Sequence, residues 1–87
     1  MLQRWSVYMI EASDGRLYTG VSTDPERRFS EHQSGGRRAA RFFRGRSPRR
    51  IAYVEAGHTR SSALKREAAI KKLSRRQKLE LTLNSAG

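Results

Sequence analysis

Glu67 stands where a carboxylate is least expected. In the helix that the pattern predicts over Ser61 to Leu73, the apolar residues Ala63, Leu64, Ala68 and Ile70 fall within one stripe at about 100° per residue, and Glu67 lies in its middle. A carboxylate turned toward the body of a protein is costly unless it is paired or holds a cation. Two readings follow: a salt bridge to an arginine, or a metal ligand or acid/base group. A second concentration of chemical groups is the stretch Leu17 to Arg28, LYTGVSTDPERR, in which a phenol, a glycine and a guanidinium crowd a strand-to-helix junction. His32 follows Arg28 by four residues, so the two lie above one another on one helix face, with Phe29 as the apolar anchor beside them.

Charge names the partner such groups would meet. The 87 residues include 19 Lys and Arg against 8 Asp and Glu, a formal net charge of +11. That excess opposes folding by self-repulsion and raises affinity for polyanions, nucleic acid first among them. Cysteine is absent, which excludes a disulfide framework and thiolate chemistry, and two histidines alone do not build a zinc site. No run approaches about 18 consecutive apolar residues, and the first residues are too mixed for a signal peptide. A cytoplasmic protein with no membrane association is expected.

These residues must be positioned by a small fold. The length predicts a single domain, residues 1–87, with a modest core. Arg4 to Ala12 alternates Trp5, Val7 and Met9 against Tyr8, Ile10 and Ala12, apolar on both sides, which predicts a central strand. Ser13-Asp14-Gly15 turns the chain and Leu17 to Val21 returns. A two-residue Asp14-Gly15 turn would leave Tyr8 and Tyr18 on opposite faces; a three-residue loop with Gly15 left-handed would pair Tyr8 with Gly20 and put both tyrosines on one face. Asp24-Pro25 opens a short helix that Gly35-Gly36 closes. Gly36 to Arg50 carries Arg37, Arg38, Arg41, Arg44, Arg46, Arg49 and Arg50 interleaved with Phe42 and Phe43, with a helical piece around Ala39 to Phe43. A third strand is expected over Ile51 to Ala56, ended by Gly57, then a helix capped by Thr59 or Ser61, and a last one from Ser74 through Leu83. The fold class is α+β: a small three-stranded antiparallel sheet flanked by helices, in the order β-β-α-β-α-α.

Tyr8, then Tyr18-Thr19-Gly20, an arginine eight residues after that glycine and a later glutamate inside a helix together resemble the GIY-YIG nuclease domain. The likeness covers about Trp5 to Leu79 and is greatest to the short stand-alone bacterial members, in which a segment like DGxLYTGxxxDxxRRxxEH precedes KRExxIKKLSRxxK. Here those segments are Asp14 to His32 and Lys65 to Lys78. The first signature keeps only its tyrosine, since Ser6-Val7-Tyr8 stands where Gly-Ile-Tyr is usual. By resemblance, Arg28 is the catalytic arginine, His32 the position that is His or Tyr in several members, Glu67 the metal-binding glutamate and Asn84 the late asparagine.

The resemblance implies metal-dependent cleavage of phosphodiesters, with Mg²⁺ or Mn²⁺ held by Glu67. Arg28 would neutralise the phosphate through a fork of donors. Tyr8 would orient or deprotonate the attacking water, Tyr18 would join the same hydrogen-bond network, and His32 would relay the proton or fix a phenol. Gly20 would leave room for the Tyr8 ring to lie over the sheet, which requires the three-residue hairpin loop with Gly15 left-handed. Arg37, Arg38, Arg41, Arg44 and Arg46 would grip the nucleic-acid backbone, while Phe42 or Phe43 would stack on an unpaired base or pin the loop to the core. The expected substrate is DNA ahead of RNA, in repair or recombination, with specificity from its structure or from a protein partner. The alternative is a nucleic-acid-binding module that keeps the nuclease fold with feeble catalysis. A monomer or weak homodimer is expected.

Overall fold

Residues apolar on both sides of a strand must be covered on both sides, and the strand that begins at Trp5 organises the molecule accordingly. Val7, Tyr8, Met9 and Ile10 are at most 1% exposed. The computed structural model describes residues 4–85. Strand β1 (Trp5–Ala12) runs between β2 (Leu17–Ser22) and β3 (Pro48–His58) in a three-stranded antiparallel sheet of order β2-β1-β3. Helix α1 (Pro25–Ser34) and a single 3₁₀ turn at Arg41–Phe43 bring Phe29, Phe42 and Phe43 onto the Tyr8 and Ile10 face. Helices α2 (Arg60–Lys71) and α3 (Arg75–Ser85) bring Ala63, Ile70 and Leu81 onto the Val7 and Met9 face. The element order is the expected β-β-α-β-α-α, with the central strand where its pattern put it. Among the described residues, no helix is long and apolar enough to cross a membrane.

The first hairpin takes the longer of the two loops. Gly15 is left-handed at φ +85°, its N–H donates to Ala12 O at 2.9 Å, and Ala12 N–H donates to Arg16 O at 2.9 Å. The resulting register sets Tyr8 opposite Gly20 and Ile10 opposite Tyr18, so both tyrosines share a face. Helix starts follow their caps. Asp24 accepts from Arg27 N–H at 3.2 Å, Thr59 and Ser62 exchange hydrogen bonds at the head of α2, and Ser74 and Gln77 do so at the head of α3.

Two expectations need correcting. β3 is not confined to Ile51–Ala56 but extends from Pro48 to His58, because its extra residues are taken up in three register shifts against β1. Gly57, at φ +83°, therefore lies within the strand next to one such shift instead of ending it. The inward face of α2 is also narrower than expected. Ala63 and Ile70 are buried, while Leu64 and Ala68 are exposed, because a helix lying on a three-stranded sheet has little sheet to rest on.

Because Gly15 needs a positive φ that an L side chain resists, Gly15→Ala is expected to cost about 1–2 kcal/mol. Urea denaturation beside the wild type measures it; an unchanged midpoint would show that the loop can adopt the other turn.

Candidate active site

Gly20 decides how the site is built. A Cβ placed there would come 2.6 Å from the Tyr8 hydroxyl oxygen and 2.8 Å from its Cζ, so the phenol of β1 lies across β2 in space that only glycine leaves free. Tyr8 thereby reaches from the middle strand toward the outer edge of β2. Burial pushes its hydroxyl pKa well above the ordinary 10, with the Tyr18 hydroxyl and the Glu67 carboxylate acting in the same direction and the Arg28 guanidinium opposing. Groups from β1, β2, α1 and α2 are thus in electrostatic contact at one phenol.

His32, on α1, is 2% exposed. The Ala40 N–H donates to its Nδ1 at 3.1 Å, and a backbone amide can only donate, so Nδ1 is the bare nitrogen of the neutral ring. The hydrogen then resides on Nε2 and is directed at the Tyr8 oxygen, a long 3.4 Å away. His32 in this state can hold the phenol but has no free lone pair with which to take its proton. Burial first, and then the charge of Arg28 against the weaker pull of Glu31, bring the His32 pKa down from 6.5 to about 4.

The Tyr18 hydroxyl makes no hydrogen bond to a described residue, contrary to the expectation that it would join the network. Its ring instead packs edge-on to His32 at 5.3 Å, against Phe43 at 5.2 Å and against Phe42 at 5.4 Å, 6.3 Å from the Tyr8 ring. Phe43 is buried and pins the loop; Phe42 is half-buried.

Arg28 Nη1 donates to Glu31 Oε1 at 3.1 Å and also to the carbonyl oxygen of Arg38. Glu31 takes Arg38 as well, at 3.4 Å, and both arginines hold its carboxyl below the usual range. Sequence reasoning passed over Glu31, although its place three residues after Arg28 marks it as a helical ion-pair partner. Glu67, 20% exposed, pairs with Lys71 one turn on at 3.4 Å, so its ion pair is with a lysine of its own helix and not with an arginine. The pair engages Oε2, which leaves Oε1 without a partner among the described residues. Asn84 lies exposed on α3.

The arginine loop divides. Arg37, Arg41 and Arg44 are exposed and unpaired among the described residues. Arg46 is turned inward, donating to Asp14 Oδ2 at 2.9 Å and to Phe42 O at 2.9 Å while its guanidinium lies 4.5 Å over the Phe42 ring.

A three-stranded antiparallel sheet bearing phenols, with a guanidinium helix on one face and a carboxylate helix on the other, defines a class of small nuclease domain. The model of the GIY-YIG catalytic domain matches residues 4–80, and the chain belongs to the GIY-YIG nuclease domain family. It is 51% identical over 77 residues to a UPF0213 protein of Pseudomonas aeruginosa, covering 88% of this chain and 72% of that one. To the UPF0213 protein YhbQ of Escherichia coli it is 42% identical over 83 residues, covering 95% and 81%. The solution structure of the UPF0213 protein BH0048 from Bacillus halodurans superposes with a TM-score of 0.60 at 38% identity, over 97% of this chain and 87% of that one.

Two outcomes follow from the geometry. Gly20→Ala is expected to displace the phenol and cost about 1–3 kcal/mol by overpacking, read as a lowered thermal midpoint. For His32, both states are neutral above pH 6.5 and stability is full; as pH falls toward 4 the unfolded chain binds a proton that the native ring refuses. Stability should therefore drop by on the order of 3 kcal/mol across that window. Urea midpoints from pH 8 to pH 4 should slope in the wild type and flatten in His32→Gln; equal slopes would overturn the assignment.

Proposed function

We propose that the chain is a metal-dependent endonuclease that hydrolyses phosphodiester bonds in DNA, in repair or recombination. One observation carries the reading: Arg28, His32 and Glu67, from two helices, act together on the Tyr8 phenol that Gly20 lets across β2.

Glu67 offers a hard oxygen ligand with one oxygen unengaged and only an exposed lysine to displace, which fits a single hard divalent cation completed by water. No group of three or more His, Cys, Asp or Glu comes together among the described residues, so the fit is to one ion held largely by solvent and phosphate. Such an ion, Mg²⁺ or Mn²⁺, supplies Lewis-acid stabilisation of charge on the phosphate when bound.

The chain's own residues do the rest. Arg28 exchanges its internal acceptors, Glu31 and the Arg38 carbonyl, for two phosphate oxygens, a step that a fork of donors performs well. His32, a donor through Nε2, fixes the phenol from behind. With its oxygen receiving that hydrogen, Tyr8 directs its own hydrogen outward, to orient a water or a phosphate oxygen. Burial keeps the phenol protonated in the free protein, so Tyr8 becomes a proton acceptor only when added positive charge lowers its pKa. Arg37, Arg41 and Arg44 hold the strand on either side by its phosphates, without reading sequence. A protein partner or the shape of the substrate supplies specificity, and the chain acts as a monomer or weak dimer.

The internal engagement of Arg28 favours a second reading, a nucleic-acid-binding module that keeps the fold with little catalysis. Nicking of supercoiled and cleavage of branched DNA with Mg²⁺ or Mn²⁺ separate the two. Arg28→Ala and Glu67→Ala should each lower the rate by about 10²–10³-fold, Arg28→Lys should not restore it, and Glu67→Ala should still bind. Tight binding without metal-dependent cleavage by the wild type would establish the binding module.

A further inference from the structure

The segment LSRRQK, Leu73 to Lys78, has no part in the chemistry above, yet it builds one wall of a cleft. Arg75 and Lys78 of α3, Arg16 and Leu17 at the start of β2, and Phe42 enclose about 230 Å³. We propose that this cleft binds one unpaired nucleotide of the DNA strand that enters the active site, with the base on Leu17 and Phe42 and the phosphate between Arg16, Arg75 and Lys78. The proposal rests on nucleic acid being the substrate and names the form of it that is preferred.

Three observations converge on it. The cations are poorly neutralised from within: Lys78 forms no ion pair among the described residues, Arg75 donates to Gly15 O at 3.0 Å, and Arg16 has only a loose 3.9 Å approach to Asp14, whose carboxylate is held by Arg46 at 2.9 Å. They also stand at the wrong end of a helix. Arg75 and Lys78 occupy the opening turn of α3 with no acidic residue there, Arg76 between them pairs with Glu80 at 3.6 Å, and the cap that closes this end is the neutral pair Ser74 and Gln77. The helix dipole is positive at that end, so cations there are unfavourable until an anion joins them.

The floor of the cleft is apolar, which a lone phosphate would not use and a base would. Phe42 is braced by the guanidinium of Arg46, and its ring stands 5.4 Å from Tyr18, the next residue after Leu17. A base stacked there is one ring removed from the aromatic cluster of the active site. Leu17 and Gly20 are three residues apart, roughly 10 Å along β2, so one strand reaches both. The volume lies below the roughly 300–1,000 Å³ of sites for larger ligands, which suits a single ring system.

The test uses full-length Glu67→Ala protein without divalent metal, so that binding is read apart from cleavage. Anisotropy at one fixed salt concentration is measured with a labelled single strand and with a blunt duplex of the same sequence. Arg75→Ala/Lys78→Ala in that background should weaken the single strand at least about tenfold and the duplex about threefold or less. The control, Lys65→Ala/Arg76→Ala, should weaken both in equal proportion. Because Arg75 also ties the hairpin, Lys78→Ala alone is expected to show the same selectivity at about threefold. A 2-aminopurine in the single strand should be quenched on binding and less so by either cleft variant. Equal losses on both probes, or unchanged quenching, would overturn the cleft. A parent protein that bound neither probe would overturn both readings, whereas selective losses without metal-dependent cleavage by the wild type would remove the nuclease reading alone.

Discussion

The phenol of Tyr8 occupies the space that a side chain at residue 20 would fill, and most of the site follows from that one steric fact. A ring can lie across β2 only if the facing residue has no Cβ and only if the register brings that residue opposite Tyr8. The register depends on the hairpin loop, which depends on a left-handed Gly15. The central position of β1 then buries Tyr8, and its hydroxyl lies over Gly20 of the outer strand β2. Elements on opposite faces of the sheet, α1 with Arg28 and His32 and α2 with Glu67, can influence one atom because that atom lies over the outer strand β2, against which both helices pack.

The same residues also hold the arginine loop in place. His32 accepts the Ala40 N–H, Arg28 donates to the Arg38 carbonyl, and Phe43 packs on His32 at 4.7 Å. A segment with so many like charges has no regular ladder of its own beyond one 3₁₀ turn, so these attachments do the work that a helix or strand would otherwise do. The arginine loop and the residues around Tyr8 are therefore mechanically one assembly. Glu31 is its counterweight, pairing with Arg28 and Arg38 together.

Much of this was legible in the sequence. The two-sided apolar pattern of β1, the Asp24-Pro25 start and Gly35 stop of α1, and the capping of α2 by Thr59 rest on local chemistry, and local chemistry is what a sequence displays. Local turn chemistry left the two hairpin loops open, because register is set by what packs on each face, and only the family resemblance chose the loop with Gly15 left-handed. Other features needed the structure. The direction of the His32 hydrogen is fixed by an amide eight residues on, the inward turn of Arg46 by an aspartate in a distant hairpin, and Ser6-Val7 in place of the usual Gly-Ile gives no local sign of how Tyr8 will lie. The extent of β3 escaped for a related reason. A strand that carries bulges breaks the alternation by which strands are recognised.

Those irregularities in β3 bear on how the protein behaves in a crowd. β3 is an outer strand, and an outer strand offers unpaired backbone groups to any neighbour that can match its spacing. Three register shifts, a left-handed glycine and the arginines at positions 49 and 50 give it an uneven, charged rim that a second copy cannot follow for more than a few residues. A chain this basic will gather at high local density on any polyanion. The uneven rim keeps neighbouring copies from zipping into a shared sheet, so crowding does not become aggregation.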